Sequence, residues 1–281
     1  MIISQVKYSQ RIGIFVLGVV SISIVDRAQA VPIAFSSAGG NAAAIQATVD
    51  SFRANLGNLN PNIAGSFGTG RREINWDGVP NTLAAPNNLP ANFFNSNSPR
   101  GAVFSTPGTG FQVSANDGIA PIEFGNINPG YPELFGTFSA QRLFTALGSN
   151  IVDVNFFVPG SSIPALTRGF GSVFTDVDLA NVSSIQYFDA SNASLGSFFV
   201  PRFEGNQTLS FLGVAFDTAV ISRVRITSGN QALSASTTTG DVVAMDDFIY
   251  AEPSVPEPST LSIFGLGAVC TLAVSRQRRR R

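Results

Sequence analysis

The sequence contains no histidine and a single cysteine in 281 residues. Without histidine there are no imidazole metal ligands and no Ser-His or Cys-His nucleophile pairs. One cysteine, Cys270, excludes an intrachain disulfide framework. Charge is scarce too. Charged residues make up 12% of the chain, about half the usual share of roughly 25%. Such a composition fits neither a basic nucleic-acid binder nor a charge-rich disordered tail. Glycine-rich phosphate loops and the Gly-x-Ser-x-Gly elbow of hydrolases are absent. No period of about 20 to 50 residues repeats, which excludes solenoids and propellers.

What is present begins with two terminal segments that stand apart from the fold. Lys7 and Arg11 precede an apolar run from Ile12 to Val25, followed by Ala28-Gln29-Ala30. This is the pattern of a secretory signal peptide over residues 1–30, handled by the Sec translocon and cut by signal peptidase after Ala30. At the other end, Val255-Pro256-Glu257-Pro258 precedes an apolar stretch from Leu261 to Val274, and five arginines crowd the tip. Pro256 and Pro258 impose extended backbone. The apolar stretch reads as a tight transmembrane helix whose basic end stays cytoplasmic.

Motif, helix and arginine tail in that order resemble the PEP-CTERM sorting signal of bacterial surface proteins. The resemblance covers Val255 to Arg281, with Val255, Pro256, Glu257 and Pro258 as the sorting motif. It implies export in a Gram-negative bacterium and transient anchoring in the inner membrane. It further implies processing by an exosortase-type membrane protease and an exopolysaccharide-associated destination at the cell surface, outer envelope or beyond. A plain C-terminal membrane anchor is the alternative.

Residues 31–252 are the exported body. They carry nine arginines and sixteen acidic residues, a net charge of −7 that the basic ends conceal. An acidic surface repels nucleic acid and favours cations. Within residues 31–100, Asn41 is placed to cap one helix, with Ile45, Val49, Phe52 and Leu56 as its apolar stripe and Gly57 at its end. Asparagine, glycine and proline then predict long loops around a short segment from Arg71 to Gly78. From 101 to 252 short strands follow one another, including 134–138, 151–158, 170–177, 207–216, 220–227 and 242–250. The fold class expected is all-β, an antiparallel sandwich or jelly roll with one amphipathic helix.

Two acidic pairs are the main chemical candidates. Asp176 and Asp178 close one predicted strand and would share a face, and Asp246 and Asp247 sit inside another. A buried carboxylate needs a partner, and a structural calcium, with its six to eight oxygen ligands, would suit the four. Hydrogen bonds to loop amides, or pairing with Arg168, Arg223 or Arg225, is the competing expectation. Trp76, with Tyr131 as a further aromatic, would stack on a sugar ring if exposed, though large aromatics are usually buried. Glu73, Asp77, Glu123 and Glu133 are the acids available for a glycosidase pair, and none stands out. The sequence therefore points to a non-catalytic exported envelope or matrix protein. A carbohydrate-binding module, or a polysaccharide-active enzyme using a carboxylate pair, is the alternative.

Overall fold

The computed structural model describes residues 31–236 and 240–255. The expected signal peptide, the C-terminal apolar helix, Cys270 and the motif residues Pro256, Glu257 and Pro258 lie outside them. Among the described residues no helix is long and apolar enough to cross a membrane.

The strands are β1 (Ile33–Gly39), β2 (Arg71–Ile74), β3 (Ala102–Ser105), β4 (Gly110–Val113), β5 (Phe144–Leu147) and β6 (Ile151–Phe156), then β7 (Gly169–Thr175), β8 (Ser184–Phe188), β9 (Ser194–Phe199), β10 (Leu209–Ala215), β11 (Arg223–Thr227) and β12 (Ala244–Ala251). They form two antiparallel sheets. The larger runs β1-β10-β7-β12-β5-β4, with β2 also on β12, and the smaller runs β3-β6-β11-β8-β9. The fold is mostly β, as expected.

Helix α1 (Ala42–Leu56) begins where Asn41 Oδ1 accepts the Ala44 amide at 3.2 Å, and the Gly57 amide closes it on the Arg53 carbonyl. Ile45, Val49, Phe52 and Leu56 are all buried. They lie on the outer face of the larger sheet against Val173, Leu209, Phe211 and Ile249. The inner face of that sheet packs Phe170, Phe174, Leu212, Val214 and Phe248 against Val154, Val224 and Ile226 of the smaller sheet. The body is thus three layers: helix, sheet, sheet. Strands β7, β10 and β12 are buried along their whole length because both of their faces are covered. Strands β6 and β11 alternate because only one face is.

Three expectations are corrected. Residues 31–100 supply two strands as well as the helix, since β1 pairs with β10 and β2 with β12. Residues 134–138 form no strand: a short helix (Tyr131–Leu134) occupies the start, and the Phe138 amide goes to a carboxylate instead of a ladder. Arg223 and Arg225 are engaged by Asp153 across the β6–β11 pair, at 3.0 and 2.8 Å, and not by the acidic pairs.

Candidate functional site

The antiparallel pairing of Ala244 with Thr175 sets the residues just before β12 beside those just after β7. That register gathers Asp176, Asp178 and Asp241, whose nearest carboxylate oxygens all lie within 4.8 Å of one another. All three line one cleft of about 400 Å³, together with Glu133, Asn206 and other residues. Asp176 is 3% exposed, and its Oδ1 is buried with no hydrogen-bond partner among the described residues. Asp178 Oδ1 accepts the Gly205 amide at 2.8 Å. Asp241 accepts the amides of Asp178 and Leu179, both at a long 3.3 Å. Among the described residues none of the three forms an ion pair. Burial, with Asp178 and Asp241 close by, pushes the Asp176 carboxyl up to about 8. Burial also raises Asp241. Three oxygen donors with no cationic side chain between them are suited to holding a hard metal ion.

Asp246 and Asp247 belong elsewhere. Between Met245 and Phe248 strand β12 holds one residue more than its partner β7, a bulge that breaks the in-out alternation. Both side chains therefore reach the segment at Phe138 and Ser139, where strand geometry alone would have sent them to opposite faces. Asp246 accepts the amides of Phe138 and Ser139 at 2.7 and 3.2 Å. Asp247 meets Ser139 Oγ at 2.8 Å and Arg53 Nη2 at 3.2 Å. Burial, then the neighbouring Asp247, holds the Asp246 carboxyl far above the usual range. Loop amides and an arginine thus engage this pair, as the competing expectation had it, although the arginine is Arg53. The four aspartates expected to serve calcium are not one group.

Trp76 is a core residue, 1% exposed, and not a surface platform. Its ring stacks on Phe144 at 4.2 Å and meets Phe94 and Phe248 edge-on, and its Nε1 donates to the Asp246 carbonyl at 2.8 Å. With both the ring and the indole N–H engaged inside, nothing is left to stack on a sugar. Of the acids considered for hydrolysis, Glu73 is held by Arg53 and Arg71, and Glu133 alone lines the cleft of the triad. Asp241 was not singled out by sequence reasoning. The signal that would find it is the pairing of two long apolar strands, the first ending at an Asp and the second preceded by one.

The described chain closes at the sorting segment. Glu252 is buried, Ser254 forms an isolated bridge with Leu166, and Val255 is exposed. The PEP-CTERM protein-sorting motif family matches residues 254–280. The chain accordingly carries the signal of a secreted protein that exosortase processes at the membrane or envelope. No curated protein matches it. Among solved structures, the enzymatically active domain of bacteriophage CBA120 tailspike protein 4 is similar with a TM-score of 0.27 and 14% identity. That match covers 68% of this chain and 23% of the tailspike chain, so the protein spans under a quarter of its length.

Proposed function

We propose that the protein is a non-catalytic component of the cell envelope or extracellular matrix, released at the surface among exopolysaccharide once its C-terminal tail is removed. The observation that carries this reading is where the described strands end relative to the motif. Strand β12 ends at Ala251, and Glu252 is locked to Arg72 at 2.6 and 2.8 Å. The last backbone pairing among the described residues, at Ser254, falls at the first residue of the matched motif. A cut beyond Val255 leaves every described strand in place. The tail serves as an address and a temporary inner-membrane anchor, reached through the Sec translocon, and the body is the cargo.

A non-catalytic role is supported by the acids. A glycosidase sets two carboxylates about 5 to 10 Å apart across a sugar ring. The carboxylates gathered here converge within 4.8 Å, an arrangement better matched to one shared cation. Replacing Pro256, Glu257 and Pro258 together by alanine in the native host tests the reading. The variant should accumulate in the membrane fraction with its tail attached. Undiminished surface release of tail-free protein would contradict it.

A further inference from the structure

We infer that Asp176, Asp178 and Asp241 form a binding site for a divalent, oxygen-seeking cation of the calcium class. Two independent observations carry this. The first is the convergence of three carboxylates in one cleft, within 4.8 Å and, among the described residues, without any arginine paired to them. The second is Asp176 itself: a side chain 3% exposed that lines the cleft, with a buried Oδ1 that no donor among the described residues satisfies. Buried carboxylate oxygens are almost always hydrogen-bonded, because desolvation without a partner costs several kcal/mol. Folding here creates that cost and adds the repulsion of two neighbouring acids. A cation relieves both.

The chemistry of the donors selects the ion. All three are carboxylates, and the sequence has no histidine, so softer metals that seek nitrogen or sulfur find nothing to prefer. Calcium accepts six to eight oxygens in flexible geometry, and three carboxylates supply three to six of them. A cleft of about 400 Å³ leaves space for water to complete the shell. Magnesium needs stricter octahedral geometry and sheds water reluctantly. The ion would tie the end of β7 to the segment leading into β12, two strands at the centre of the larger sheet. The inference does not rest on the sorting tail.

The test uses the full chain, stripped of metal with a chelator and dialysed against calcium chloride, with bound calcium counted per chain. One calcium should bind, with a dissociation constant near 10⁻⁴ to 10⁻³ M, the range of about that order for extracellular modules. Millimolar calcium should raise the melting temperature relative to chelator. Asp176→Asn and Asp178→Asn should each weaken binding at least tenfold and remove the thermal shift, whereas Asp117→Asn, on an exposed loop, should keep both. Asp178 is only half-buried, so its variant gives the answer even if Asp176→Asn fails to fold. Absence of calcium binding by the unaltered chain would overturn the inference. So would undiminished affinity in the Asp178→Asn variant.

Discussion

Asp176 follows the last residue of β7 and has a φ of 67°, in the left-handed region that non-glycine residues seldom adopt. That turn takes its side chain off the pleat. The sequence expectation, two acids on one strand face about 7 Å apart, gives way to a tighter group completed from a different part of the chain. The raised carboxyl has a consequence for pH. In the calcium-free fold Asp176 holds its proton to about 8, against 3.8 when unperturbed. Folding therefore takes up a proton between those values, and stability falls as pH rises through the window. The contribution is fully present below about 4 and is lost above about 8. Asp176→Asn removes the titration. In chelator, the melting temperature of this variant should gain on the unaltered chain by roughly ten degrees or more from pH 4 to pH 8 and stay level above that. A constant difference across the window would show that Asp176 is not desolvated. Trp76 makes the complementary point: its identity said "large aromatic", and only the packing of Phe144, Phe94 and Phe248 around it says that no face is free.

Among the elements, α1 was fully legible, because its cap, its stripe and its terminating glycine all act within about fifteen residues of chain. Its docking was not legible. Gly171 and Gly213 face each other across β7 and β10, and Phe52 of the helix fills the space above them. A Cβ on Gly213 would lie 3.0 Å from the Phe52 ring, and one on Gly171 would lie 2.9 Å from it. Gly213→Ala should therefore push the helix outward and cost about 1–3 kcal/mol, read as a lower denaturation midpoint. An unchanged midpoint would mean that the helix rides loosely on the sheet. Strand β1 escaped sequence reading because only Ile33 and Phe35 are large among its small residues, and its place is set by pairing with β10 along its whole length. Strand β2 is hidden among the asparagines and is fixed from outside. Arg72 is fully buried, donates to Glu252, and also reaches the carbonyls of Pro61 and Pro99. Breaking such a buried pair from one side typically costs about 3–5 kcal/mol. The bulge at Asp246 and Asp247 was equally invisible, since it depends on register against β7.

Across the whole molecule, what could be read from the sequence was what local pattern dictates: the all-β class, most strands, and the terminal signal. What could not be read was which strands become central, and hence which loops meet. Three-layer packing explains the difference. Strands covered on both faces lose their alternation and look alike in sequence, so their order in the sheet is set by contacts far apart along the chain. Every described strand lies before the matched sorting motif, which begins at residue 254. The most direct test of that division between cargo and address is the intact mass of the protein extracted from the surface of its native host. The account predicts a chain that begins after Ala30 and lacks both the apolar stretch from Leu261 and the arginine tail. A surface protein still ending in Arg281 would contradict it.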